Sequence, residues 1–168
     1  MAYITENTVV ISFAEYDDVV NRDQRLFDSN EGLTDDVVED ALIRATERIL
    51  SKIQTSAWWQ SYYRKRSSSV ISNSADIPAP VAEQIVGRQN DFTDLCVYIG
   101  LGEFILPSIA DFGDEDSAER QKMGYYTNKA ESLLIELLNA GDWYDFDGDS
   151  TVENTEREPG HVNLRRIR

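Results

Sequence analysis

The sequence predicts an all-α fold: a small bundle of about four to five helices followed by an extended C-terminal tail. Three observations lead there. Apolar residues recur at three- and four-residue spacing over 34–54, 81–106 and 117–138. Helix start and stop signals bracket these stretches. The helical period is then lost, which divides the chain into a helical domain over 1–141 and an arm over 142–168.

The chain has 168 residues, 41% of them hydrophobic and 28% charged, with only four prolines. That length suits one domain with a real core, and that composition suits an ordered protein. The formal net charge is -15, so most of the surface repels phosphate backbones and sequence-specific nucleic-acid binding is disfavoured. The longest apolar stretch, Leu95 to Ile109, is broken by Gly100, Gly102, Glu103 and Pro107, so no transmembrane helix is expected. The start, Met1 to Asn7, lacks the basic and apolar segments of a secretory signal, which makes synthesis in a cytoplasm the expectation. The one cysteine, Cys96, lies in an apolar helical stretch and reads as a small core residue.

In chain order, Thr8 to Phe13 is β-branched and reads as a short strand or extended arm. Ser12 is a candidate N-cap for a short helix over Phe13 to Val20. Asn21 to Gly32 is rich in turn residues, and Thr34-Asp35-Asp36 supplies a cap with acids in the first turn. The clearest amphipathic helix follows: Val37, Val38, Ala41, Leu42, Ala45, Ile49 and Ile53 share one side, with Glu39, Asp40, Arg44, Glu47, Arg48 and Lys52 on the other. After Thr55-Ser56, the aromatic residues Trp58, Trp59, Tyr62 and Tyr63 form a short helix that fills a core or a subunit contact. Arg64 to Ser69 turns basic and flexible, and a polar loop ends in Pro78-Ala79-Pro80. A long central helix is expected from Val81 to Leu106, stopped at Pro107. The acidic connector Asp111 to Asp116 leads to a last helix over Ser117 to Leu138, ended by Asn139-Ala140-Gly141 with a left-handed cap.

Few constellations of enzyme chemistry are present. His161 is the single histidine and reads as a surface residue; no phosphate loop, nucleophile elbow or dinucleotide fingerprint occurs. The chain is therefore expected not to be an enzyme and to require no cofactor.

The sharpest motif is Asp145 to Glu156, which resembles an EF-hand loop. Asp145, Asp147 and Asp149 take the first, third and fifth ligand places. Thr151 offers its backbone carbonyl, Glu153 acts through water, and Glu156 closes the loop bidentately. Ser150 stands where a glycine is expected, and Glu158-Pro159-Gly160 forbids a regular exiting helix. Two readings stay open: a single structural Ca2+ site that folds the tail, and a solvated acidic turn.

From Arg157 onward, four arginines against one acid give +3 and leave -18 for the rest of the chain. Leu164, Arg165, Arg166, Ile167 and Arg168 are therefore candidates for docking onto an acidic neighbour, the alternative being a frayed terminus.

Phe13-Ala14-Glu15-Tyr16, the segment Leu33 to Leu50, the later helices and the extended tail together resemble the head-to-tail connector, or adaptor, proteins of tailed bacteriophages. The resemblance covers most of the chain. It implies a structural protein of the virion neck, made in the host cytoplasm and not spanning a membrane. Such a protein forms a homo-oligomeric ring, a dodecamer by expectation, between the portal protein and the next neck or tail-completion protein. DNA then passes through the ring without sequence-specific binding. Asp35, Asp36, Glu39, Asp40 and Glu47 are the candidate channel-lining residues, because a carboxylate wall repels the DNA backbone and lets it slide. The competing reading is a calcium-binding helical interaction module unconnected with virions. An enzyme using paired carboxylates is a third, and would need a cleft and a raised pKa.

Overall fold

The computed structural model describes residues 4–6, 9–30, 32–110 and 118–158. Its architecture is predominantly helical, with one two-stranded antiparallel sheet formed by β1 (Ile4–Glu6) and β2 (Val9–Ser12). The helices are α1 (Tyr16–Arg22), α2 (Gln24–Ser29), α3 (Asp35–Thr55), α4 (Ala57–Arg66), α5 (Gln89–Ile99), α6 (Leu106–Ile109) and α7 (Ala118–Ala140). A π-helical stretch, Gly100–Ile105, makes α5 and α6 one continuous rod. The acidic connector 111–116 and the tail from Pro159 to Arg168, including His161, lie outside the described residues.

The amphipathic pattern of α3 becomes its packing. Val38, Ala41, Leu42, Ala45, Ile49 and Ile53 are all buried, whereas Val37, expected with them, lies in the first turn and is exposed. Thr34 occupies the cap position in extended backbone, with no side-chain cap bond. Ser56 caps α4 by accepting from the Trp59 N–H at 3.2 Å. The cap expected at Ser12 is displaced: its hydroxyl donates to the Ala14 carbonyl at 2.6 Å, and α1 begins after Glu15, whose N–H donates to Asp18 at 3.0 Å.

The central rod differs from the sequence expectation at both ends. Residues 81–88 are not α-helical, because Ile85 forms an antiparallel bridge with Tyr144 and the Gly87 N–H donates to the Trp143 carbonyl at 3.0 Å. Those pairings take the backbone groups a helix would have needed. At the other end, Pro107 does not stop the rod. The preceding stretch widens to π geometry, with Leu106 N–H bonded to Leu101 O, and this relieves the clash a proline makes with the carbonyl four residues back. The combined helix Gln89–Ile109 is long and apolar enough to meet the length and composition of a membrane span. Its apolarity is accounted for by core burial, since Phe92, Leu95, Cys96, Val97, Ile99, Leu101, Ile105 and Leu106 are all inside. Gly100 and Gly102 let α3 and α7 approach closely: a Cβ there would stand 3.1 Å from Leu42 Cδ2 and 3.1 Å from Thr127 Oγ1.

Buried polar groups tie the N-terminal strand into this core. Phe13 N–H donates to Thr46 Oγ1 at 3.1 Å, and Thr93 Oγ1 donates to the Phe13 carbonyl at 2.8 Å. Cys96 lies 3.4 Å from both Thr46 Oγ1 and the Leu42 carbonyl. It is fully buried, and burial pushes its thiol up to about 11, so it is an inert core residue as expected.

The packing also crosses the boundary drawn at residue 141. Trp143 and Tyr144 sit in the core, with Trp143 tilted against Trp58 at 4.9 Å and edge-on to Phe92 at 5.0 Å. Residues 142–158 are thus part of the folded body. Trp143→Ala is expected to cost about 3–5 kcal/mol and to loosen 142–158 with it. Denaturant unfolding monitored by tryptophan fluorescence measures the first effect, and limited proteolysis in this segment measures the second.

Candidate metal loop and charged surfaces

Residues 141–158 form a closed loop pinned at its neck. Gly141 takes the left-handed conformation predicted for it, with φ 55° and its N–H on Leu137 O at 3.1 Å. The Glu158 N–H donates to Gly141 O at 2.9 Å, and Trp58 Nε1 donates to Glu158 O at 2.8 Å. The Glu158 carboxylate accepts from Lys65 and, at 2.9 Å, from Arg66. Burial pushes this carboxyl up, but the two donors and their charges outweigh it and hold the group below the usual glutamate range. Arg66 also caps the Tyr62 ring, 3.9 Å from its centroid, and donates to Thr155 O at 2.9 Å.

Within this neck, the three aspartates converge. Asp145, Asp147 and Asp149 each present a carboxylate oxygen within 4.8 Å of the others. Oxygens that share a calcium ion at about 2.4 Å stand no more than about 4.8 Å apart, so the spacing fits one hard cation. Asp145 is buried, while Asp147 and Asp149 are exposed. The Asp145 carboxylate accepts from the Gly148 and Ser150 N–H groups, both at 2.7 Å, and Asp149 accepts from the Thr151 N–H at 2.8 Å and its hydroxyl at 2.7 Å. Each Asp145 oxygen thus keeps a further lone pair for an ion, whereas Asp149 Oδ1 accepts twice and its other oxygen is the one with acceptor capacity to spare. For Asp147, the Asp149 N–H lowers the pKa. Desolvation and the charges of Asp149, Glu156 and Asp145 outweigh it and raise the group, as expected where acids crowd without a cation.

Glu156 does not join the three aspartates. It is buried, and it bridges the loop by accepting from the Phe146 N–H at 2.6 Å, the Asp147 N–H at 3.2 Å and the Glu153 N–H at 3.0 Å. The flanks differ from an EF-hand too. The helix before the loop ends at Ala140, and after it the Arg157 N–H on Glu153 O closes a single turn. Ser150 carries φ 73° at the position where a glycine is expected. A side chain in that region costs about 1–2 kcal/mol.

On α3, all five acidic candidates Asp35, Asp36, Glu39, Asp40 and Glu47 are exposed. The basic residues of the helix are drawn aside: Arg48 and Lys52 both pair with Glu103, at 3.2 and 3.1 Å, and Arg44 lies over the Phe104 ring at 4.4 Å. Among the described residues none of the five carboxylates forms an ion pair. Opposing cations therefore do not neutralise the stripe. The docking candidates Leu164, Arg165, Arg166, Ile167 and Arg168 lie outside the described residues.

Sequence reasoning missed the neck residues Trp58, Arg66 and Glu158, which no motif connects; the signal available was an aromatic pair, Trp143-Tyr144, inside a segment read as tail. Ser150→Gly is expected to relieve backbone strain and stabilise the loop by about 0.5–1 kcal/mol. Hydrogen exchange of the 145–156 amides would slow accordingly, whereas unchanged exchange would mean the strain is absorbed elsewhere.

No family model, curated protein or solved structure matches this chain.

Proposed function

We propose that this chain is a structural protein of the phage neck that assembles as a homo-oligomeric ring between portal and tail, extends the DNA channel, and docks the next neck or tail protein. The observation that carries the reading is the unneutralised acidic stripe on α3, a helix whose opposite side is committed to the core. Lining a channel with such a stripe gives DNA a wall it does not adhere to. The resemblance of the helical order and tail to phage connectors supports the same reading, as does a basic tail on a chain of net charge -15.

Light scattering of the full chain, alone and mixed with a portal ring, tests it. A mass of many copies, or stoichiometric recruitment to the portal, is expected. Removing residues 159–168, which keeps the Glu158 clamp, is expected to abolish recruitment while leaving the helical circular-dichroism signal unchanged. A chain that stays monomeric and ignores the portal would refute the reading.

A second reading, a calcium-binding helical interaction module, is favoured by the convergence of Asp145, Asp147 and Asp149. On that reading, calorimetric titration of the full chain with Ca2+ gives one site, and Asp145→Asn removes it by taking away the inner carboxylate. A flat titration of the wild-type chain would reduce the loop to a hydrogen-bonded acidic turn.

A further inference from the structure

The charge of this chain is distributed as a dipole. Arg64, Lys65 and Arg66 end α4, and the arginine-rich tail departs from Glu158, which is clamped to that same corner. Arg64 to Arg66 contribute +3 against the -1 of Glu158, so this corner carries +2 in a chain at -15. Lys65 and Arg66 share the carboxylate of Glu158, and among the described residues Arg64 bonds the neutral Ser74 hydroxyl, at 2.7 Å, and forms no ion pair. The corner keeps its positive sign. The outer side of α4 is a shallow, open concavity of ≈ 420 Å³ lined by Ala57, Gln60, Ser61, Arg64 and Lys65. Beyond it the chain presents Val70, which is 97% exposed.

The opposite pole is the start of α3, where Asp36 and Asp40 flank Val37, itself 48% exposed. The two poles do not meet within one chain. From Asp36 to the junction with α4 the rod is roughly 30 Å long, and α4 runs back at most roughly 15 Å. At least about 15 Å therefore separates them, beyond the screening length of about 8 Å at physiological salt.

We propose, resting on the ring reading above, that the α4 corner of one copy docks on the start of α3 of the next: Arg64 and Lys65 against Asp36 and Asp40, with Val70 against Val37. Charge complementarity selects this occupant, since the corner's counterpart is a surface every copy carries. The exposed valines supply an apolar centre inside a charged rim. Because the two surfaces differ, the contact is head-to-tail, the kind that generates rings when the rotation closes. It is also compatible with a channel wall. At about 100° per residue, Asp35 points about 100° or more away from Asp36, Asp40 and Val37, and Glu39 lies about 60° from Asp36 and about 100° or more from Asp40 and Val37. The neighbour then covers the edge that carries Asp36, Asp40 and, by azimuth, Glu47, and of the acidic candidates Asp35 and Glu39 are left to the channel.

Sedimentation velocity of the full chain tests this with two charge-reversed variants, Arg64→Glu with Val70→Glu, and Asp36→Lys with Asp40→Lys. The wild-type chain is expected to self-associate at 50 mM NaCl and to dissociate at 500 mM. Each variant alone is expected to weaken association by about tenfold or more, and an equimolar mixture of the two is expected to restore it. Restoration requires both variants to be folded, so it separates lost contact from lost structure. Wild-type assembly that neither salt nor either variant weakens would overturn this contact and leave the ring reading standing. A wild-type chain that is monomeric throughout would also overturn it, leaving recruitment by the portal to its own test. Loss in both variants without restoration on mixing would overturn the pairing of these two surfaces. So would capture of a fluorescent DNA duplex by the wild-type corner and not by the Arg64→Glu, Val70→Glu variant.

Discussion

The aromatic cluster of Trp58, Tyr62 and Trp143 is the contact on which the rest of the molecule turns. Trp58 lies 4.8 Å from Tyr62 and 4.9 Å from Trp143, with Tyr144 edge-on to Trp59 at 4.8 Å. These rings come from α4 and from the segment after α7, elements with no helical relation to each other. Their burial fixes where the acidic loop sits, where the chain emerges at Glu158, and which side of α4 is left outward. Large aromatic surfaces supply most of the energy of such a joint. The hydrogen bonds from Trp143 Nε1 to Leu137 O and from Tyr62 OH to Tyr144 O supply its direction.

Charge and packing divide the work along α3. One side is pressed into the core by Leu42, Ala45 and Ile49. On the other, the acids are left to solvent because Glu103 and Phe104 of the π stretch collect the basic side chains. The widened turn therefore does two things at once. It carries the rod through Pro107, and it places an acid and a ring where α3 has its cations. The net effect is a surface whose sign is sharper than the residue count of the helix suggests.

Helix α3 was legible in the sequence because its apolar residues keep one period for five turns and nothing competes with them. So were the cap at Gly141, the aromatic side of α4 and the acidic loop, whose chemistry is local. Residues 81–88 were not legible. Val81 and Ile85 keep helical spacing, yet Ile85 pairs with Tyr144, a partner far along the chain that no local window contains. Pro107 misled for a related reason, since its usual effect assumes an α-helix and the stretch before it is π. Trp143 and Tyr144 lack any period because they are anchored one by one, by Leu137 O and by Gln84 and Val81. Of the candidate site, the three converging aspartates were readable, whereas the use of Glu156 as a hydrogen-bond bridge depends on a backbone path that ligand spacing does not specify.

The polar tether at Phe13 has a consequence for the order in which the molecule is made. Its N–H waits for Thr46 and its carbonyl for Thr93, which lies 80 residues further along. At about 5–20 residues per second, the strand that leads to Phe13 spends several seconds or more without its seat. The N-terminus is synthesised first and installed late. Until then Val9, Val10 and Ile11 are a β-branched segment in the open, with time to meet wrong partners during synthesis.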